Sequence, residues 1–329
     1  MKSLATLNVA LVGALLLAII AAVLLGEVPL TAPQYLEGIS KPHSAAWEVL
    51  WSIRAPRAFA AVAVGAALGL AGAMLQGLLQ NPLADPGVLG VSGCAALGAA
   101  LVISIGGALA PGAIETAAIL GAAVAGAALM TFAARFPEPE ALILFGVALS
   151  SFSGAAVALV FNLSPSPVAT ADVLNWLLGS VENRSWADVA VVAAPLALAL
   201  AIAVGAQRTL RALTLGQETA ATLAVSLGRW KIALIFAAAL CAGAATAVAG
   251  AIGFVGLAAP HLVRAVVRND PGRLLVPSML AGAGLLALAD LATRVIPTAQ
   301  ELKLGVVTAL IGAPVFALLA WRAAGSWRR

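Results

Sequence analysis

Ten separate apolar runs constrain what this chain can fold into. They cover approximately residues 4–25, 57–79, 89–110, 113–134, 141–162, 187–206, 231–250, 252–268, 274–293 and 305–321. A helix crosses the hydrocarbon core of a bilayer with about 20 apolar residues, so the runs match a membrane and not a water-soluble core. Composition agrees: 62% of the 329 residues are apolar, 10% are charged and the mean hydropathy is +1.06. A soluble domain carries about 45–50% apolar and about 25% charged residues. A chain so poor in polar groups cannot clothe a water-facing surface, which excludes a soluble enzyme. The runs are continuous and rich in Ala, Leu and Gly, unlike the alternating segments of a transmembrane β-barrel. The expected fold is an all-α polytopic membrane protein of about ten transmembrane helices, forming one domain over residues 1–329.

The first run follows Lys2 and is too long for a signal peptide. Leu24-Leu25-Gly26-Glu27 is also a poor cleavage site, so the run counts as helix 1. Charge sets the orientation. With the N-terminus in the cytoplasm, that side holds Lys2, Arg135, Arg208, Arg211, Arg229, Lys231, Arg264, Arg268, Arg273, Arg322, Arg328 and Arg329. The outer side holds Lys41, Arg54, Arg57, Arg184, Arg294 and Lys303. Twelve against six satisfies the positive-inside rule with both termini cytoplasmic. The net charge of +4 is scattered, with no basic block for nucleic acid. An internal echo adds to the architecture. Gly65-Ala66-Ala67, Ala71-Gly72-Ala73 and Pro82 recur as Gly243-Ala244-Ala245, Ala249-Gly250-Ala251 and Pro260, at a fixed offset of 178. It predicts helices 2–5 and 7–10 as an inverted repeat, an arrangement found in transporters.

Several kinds of chemistry are missing. No Gly-Lys pair exists, so there is no phosphate-cradling P-loop. His43 and His261 are far apart, and no His/Cys/carboxylate set has metal-ligand spacing. Cys94 and Cys241 sit in small-residue runs and read as core hydrophobes. Intramembrane carboxylates, which ion-coupled transporters use, reduce to Asp290 and a marginal Glu115. Asp290 lies four residues before Arg294, where the two can pair. No nucleophile and base suggest an enzyme.

Two polar segments stand out. Gln76 to Gly87 holds two prolines and Asn81 before Pro82, a pattern that breaks helices. It reads as either a tight cytoplasmic turn or a re-entrant element lining a pathway. Thr214 to Gly228 is too polar and short to span. Leu215, Ala220, Leu223 and Leu227 can share one face of a short helix bracketed by Gly216 and Gly228. With no strong basic face, that helix suits a docking partner better than a lipid surface.

Taken together, residues 50 to 321 resemble the FecCD/BtuC-type permease subunits of ABC importers for vitamin B12, haem and ferric siderophores. Arg54-Ala55-Pro56-Arg57 resembles the family's R-x-P-R, and Gln76 to Gly90 its Q-x-x-x-x-N-P-L-A-x-P-x-x-L-G. Leu215 to Gly228 resembles its coupling segment, with Ala224 where Gly is usual. Gly253 to His261 resembles its G-F-x-G-L-x-x-P-H, and Asp290–Arg294 and Glu301–Pro314 its C-terminal signatures. The resemblance implies a homodimer of permeases, two separate ABC ATPase subunits and a periplasmic substrate-binding protein, in a bacterial inner membrane. It implies no cofactor in this chain; ATP with Mg belongs to the partner ATPase. It also implies roles. Arg54, Arg57 and Arg294 would dock acidic residues of the binding protein. Leu215, Gly216, Glu218, Ala220, Leu223, Leu227 and Gly228 would couple to the ATPase. Gln76, Asn81, Pro82 and Leu83 would lie at the pathway, with Leu83 an inner gate. Gly253, Gly256, Pro260 and His261 would mark a helix break, His261 bonding to freed carbonyls. The expected cargo is an iron chelate, ferric siderophore or haem. Cobalamin is the alternative, and a stand-alone secondary transporter or a membrane sensor are the readings from other classes.

Overall fold

The structure, a computed structural model, describes residues 2–26, 28–106, 110–164, 166–223, 226–296 and 302–326. Ala224, Thr298 to Glu301, Arg328 and Arg329 lie outside the described residues. Fifteen helices follow one another: α1 (Lys2–Leu24), α2 (Ala32–Ser40), α3 (Ala45–Trp47), α4 (Ala55–Leu79), α5 (Val91–Ser104), α6 (Ala113–Arg135), α7 (Pro139–Leu163), α8 (Pro167–Leu177), α9 (Trp186–Gly205), α10 (Gln207–Leu213), α11 (Gln217–Thr222), α12 (Leu227–Ala249), α13 (Val255–Arg264), α14 (Pro271–Val295) and α15 (Leu304–Ser326). No strand occurs among the described residues.

Each of the ten apolar runs contains a helix. Among the described residues, seven helical stretches are long and apolar enough to cross a bilayer. Val91–Ser104 and Leu304–Pro314 are apolar but shorter. The expected span 252–268 contracts to the ten residues of α13, which rise only about 15 Å against a hydrocarbon core of about 30 Å. Conversely, the run 57–79 extends backwards. A π-helical turn, Glu48–Arg54, joins α3 to α4 in one 35-residue rod. The Ala55 N–H bonds to the Leu50 carbonyl in the wide π pattern, so Pro56, in the first turn of α4, sits where the regular helical ladder is already interrupted.

α4 is the central post. Nearly all of its residues are buried, which suits a helix that is apolar all round. α14, α12, α13 and α9 pack around it. Small residues set the approach. A Cβ on Gly65 would strike the Gly282 carbonyl oxygen and come within 2.8 Å of the Leu286 Cβ, and one on Gly72 would strike the Gly256 carbonyl oxygen. By contrast α1, α7 and α9 are only 11%, 22% and 17% buried over their apolar windows, and their outward faces carry Leu, Val and Phe.

The fixed-offset echo carries over to local structure only in part: residues 65–67 and 243–245 are both buried helix, in α4 and α12. Gly72 lies within unbroken α4, whereas its counterpart Gly250 ends α12 at φ +72°. Pro82 lies in a turn and Pro260 inside α13. Ala and Gly are common enough here to repeat a triplet without repeating its conformation.

The seam on α4 generates a test. Gly72→Leu should lower the melting temperature of the detergent-solubilised protein by roughly 10 °C, the size expected for an overpacked core. Gly13→Leu, at a site with nothing within 4 Å, should leave it unchanged. Thermal shift followed by size exclusion reads both.

Candidate functional site

The charged side chains gather at opposite ends of the bundle. At one end, Asp290 on α14 is 1% exposed. Its Oδ1 accepts from Arg57 Nε at 2.9 Å, and its Oδ2 from Arg294 Nη2 at 2.7 Å. Arg294 Nη1 donates to the Ala22 carbonyl at 2.9 Å, and Arg54 Nη1 to the Leu24 carbonyl at 2.6 Å. The last carbonyls of a helix have no partner within it, so two arginines from other helices finish α1. Arg54, Arg57 and Arg294 are 5%, 8% and 6% exposed. Their guanidiniums point inward, because α1, α4 and α14 converge where a carboxylate and free carbonyls need donors. The Asp290–Arg294 pair was legible from its spacing, whereas the third member, Arg57, was not.

At the other end, residues 80–90 join α4 to α5 as consecutive turns. Gln80 adopts φ +49° and ends α4. Asn81 Oδ1 accepts from the Leu83 N–H at 2.9 Å, a side-chain turn typical of Asn before Pro. Of the two readings this segment allowed, the tight turn is the one the backbone adopts. Pro82 is exposed and Leu83 is 53% exposed, so Leu83 is presented outward from the turn. Gln76 is buried: its Nε2 donates to the Gly256 carbonyl at 3.3 Å, and its Oε1 accepts from Arg264 Nη2. Asp85 is buried beside Gly256, and its Oδ1 accepts from the Gly87 N–H at 2.8 Å. Burial pushes the Asp85 carboxyl up to about 6, although the Gly87 and Val88 amides pull it down.

The helix break falls upstream of where the sequence placed it. α12 stops at Gly250, residues 251–254 are not helical, and Phe254 takes φ +66°. Gly253 lies in this stretch, but Gly256, Pro260 and His261 lie inside α13. Pro260 comes late enough in a short helix that its missing N–H does not end it. The break is held by neighbours: Ser180 N–H donates to the Ala249 carbonyl at 2.8 Å, and Leu304 N–H to the Gly179 carbonyl at 2.9 Å. The ends of α8 and α12 and the start of α15 therefore meet in one junction.

The segment 214–228 is shorter in helix than expected. Among its described residues before Leu227, where α12 begins, only Gln217–Thr222 is helical, after Gly216 at φ +92°. Leu215 and Leu223 flank it, 61% and 51% exposed, whereas Ala220 is fully buried. The single greasy face is thus corrected: Ala220 anchors the segment, and Leu215 and Leu223 project away from it. Glu218 and Gly228 are exposed, and Leu227 opens α12 half-buried. The segment is fastened in two places. Arg211 Nε meets Asp270 Oδ1 at 3.0 Å, tying α10 to the start of α14. Lys231 Nζ donates to the Phe136 and Pro137 carbonyls at 3.1 and 2.9 Å, and Gln217 Nε2 to Pro137 at 3.4 Å.

Exposed leucines beside a buried anchor thus lie at the cationic end of the helical bundle. The family model of the FecCD transport family matches residues 14–322. The chain belongs to the FecCD transport family. It is 41% identical over 277 residues to an uncharacterized ABC transporter permease, YvrB of Bacillus subtilis, covering 82% of this chain and 78% of that one. It is 39% identical over 287 residues to the vitamin B12 import system permease BtuC of Vibrio cholerae, covering 86% and 85%. The fold matches a solved structure described as an inward-facing conformation of a metal-chelate type ABC transporter, with TM-score 0.86, 29% identity and coverage of 96% and 99%. The chain is therefore an ABC importer permease, a transport subunit and not an enzyme.

Among the described residues of this FecCD permease, no three His, Cys, Asp or Glu side chains converge on a point that could hold a metal ion. Two residues escaped the sequence reading. Asp85 was inside a recognised motif, and its place between Ala84 and Pro86 in an apolar setting was the available signal. Lys231 was counted only for orientation, because nothing local marks the carbonyls 95 and 94 positions away that it holds.

Two tests follow from the charged ends. Asp290→Ala takes from two buried guanidiniums the carboxylate they share and should cost about 3–5 kcal/mol, read as loss of thermal stability in detergent. Asp85 binds its proton more tightly folded than unfolded, because its folded value of about 6 exceeds the ordinary 3.8. Its contribution to stability therefore falls as pH rises from about 4 to about 6. Asp85→Asn should flatten that part of the melting temperature–pH curve.

Proposed function

We propose that this permease moves a metal chelate inward across a bacterial inner membrane, with cobalamin the foremost cargo. The observation that carries the reading is the docking segment, with Leu215 and Leu223 exposed and Ala220 buried, in a chain of the FecCD family. Exposed apolar side chains on a short rigid projection fit a cleft in a partner, and such rigid-body coupling is how a motor in another chain drives alternating access. Two separate ABC ATPases supply ATP hydrolysis with Mg, and two copies of this chain surround the pathway. A periplasmic binding protein delivers the cargo. The docking role of Arg54, Arg57 and Arg294 is part of this reading: 5%, 8% and 6% exposed in the single chain, they would exchange internal acceptors for acidic residues of that binding protein.

The ten-crossing topology belongs to the same reading. α4–α7 and α12–α15 share one order: a long helix, a short one, then two long ones. Of the non-helical backbone before α13, Ile252 is buried and Gly253 exposed, and the bilayer interior tolerates such backbone where it lines a water-filled pathway. Both termini lie on the cytoplasmic side by the charge count. Named relatives that import vitamin B12 favour cobalamin over the iron chelate expected from the sequence. Likeness to a metal-chelate type transporter supports ferric chelates as the second reading.

The test is uptake into proteoliposomes holding the permease, its ATPase and its binding protein. ATP-dependent accumulation of cyanocobalamin, uncompeted by ferric siderophore or haem, is expected; the reverse competition would transfer the assignment to iron. Uptake that survives ATP depletion and collapses with a protonophore would overturn the importer reading. The double variant Leu215→Asp/Leu223→Asp should lose the ATPase on affinity purification, and an intact active complex would refute the docking role.

A further inference from the structure

An apolar cavity of about 960 Å³ lies behind the docking segment. Its walls come from the ends of α4 and α6 (Leu78, Met130, Ala133), from Leu213 and Ala221, and from the first three turns of α12 out to Phe236. The buried part of α12 begins only at Leu234. Over this stretch the docking segment therefore does not rest directly on the ends of α4 and α6. The space is an open groove: Leu213, Trp230 and Ile232 pack on the core beside it, but the groove itself removes apolar contacts between the segment and the ends of α4 and α6, and lost contacts weaken the transmission of movement by packing.

The directional contacts across it are polar. Lys231 on α12 and Gln217 on α11 both donate to carbonyls of the α6–α7 turn, Lys231 to Phe136 and Pro137, and Gln217 to Pro137. That turn is stiff. Pro137 and Pro139 fix their own φ angles and restrict the residues before them, Phe136 and Glu138. A displacement of its carbonyls is passed along the chain and not absorbed. α7 starts at Pro139 and has only Leu142, Gly146 and Ser153 fully buried in its 25 residues, so it is free to follow. The other fastening, Arg211 to Asp270, leads to α14, which is locked against α4 through Gly65 and Gly282.

We propose that Lys231, seconded by Gln217, is the strut that transmits movement of the docking segment to α7. The inference rests on the importer reading and deepens it: Lys231 is a positioning residue for transport, touching neither cargo nor nucleotide. The three donors of the ammonium suit it to two carbonyls at once, and a charge-assisted bond is stronger than a neutral one.

The experiment uses the complete reconstituted transporter and reads cargo moved per ATP hydrolysed. Lys231→Met should keep the ATPase bound and hydrolysing, while the ratio falls about tenfold, the loss expected for a hydrogen bond to a charged group. Lys231→Arg, which restores donors, should recover most of the ratio. Gln217→Ala should lower it less than Lys231→Met does. A spin label on the exposed face of α7 should lose its nucleotide-dependent displacement in Lys231→Met and regain it in Lys231→Arg. An unchanged ratio and unchanged displacement in Lys231→Met overturns the proposal. So does a Lys231→Met complex that falls apart while Lys231→Arg assembles and remains as poorly coupled. A wild-type complex showing no ATP-driven uptake would instead defeat the importer reading itself.

Discussion

The close contact of α4 with α14 and α13 is the constraint on which the other contacts depend. In a bilayer, burying apolar surface gives no drive for helices to associate, because lipid is as apolar as leucine. What remains is shape, and here shape means missing Cβ atoms: Gly65 against Gly282, Gly69 against Ser278, Gly72 against Gly256. With the three helices this near, Arg57 on α4 reaches Asp290 on α14, and Gln76 on α4 reaches the Gly256 carbonyl of α13. Neither polar contact would close across side chains of ordinary size.

Charge is then placed where that frame allows. Asp290 sits nearly without solvent, which is costly for a carboxylate unless opposite charge satisfies it, and Arg57 and Arg294 do so from two helices. The Asp270 end differs in kind. Its ion pairs, Arg211 and Arg273 with Asp270, are partly exposed and join short elements. One end of the molecule is a sealed knot and the other an open set of linkages. A transporter powered from one side has use for that asymmetry.

Much of the fold was legible because the apolar runs are long and the glycines fall among alanines. α4, α6, α7, α9, α12 and α14 lie within a few residues of the expected runs, except where the π turn extends α4 backwards. α13 was misjudged because Ile252 to Val267 is apolar but for His261 and Arg264, and hydropathy does not register that Gly250 and Phe254 leave helical geometry. Short elements such as α8 depend on caps, including the Ser166 side chain accepting from the Val168 N–H, which carry little weight in a hydrophobic count. The docking segment was recognisable by its motif and polarity, but not which leucines project. The internal partners of the arginines were not legible for a related reason: the acceptors at Ala22 and Leu24 are backbone atoms that no side-chain pattern announces.

The Arg294–Ala22 bond also bears on how the chain is made. These residues lie 272 positions apart, so α1 leaves the ribosome long before the arginine that completes its last turn. Arg54 arrives early and can hold Leu24, but the full anchorage of α1 waits until α14 has been synthesised and inserted. The first helix to enter the membrane is thus among the last to be fastened, and a nascent chain truncated before α14 would carry its leading helix without that final bond.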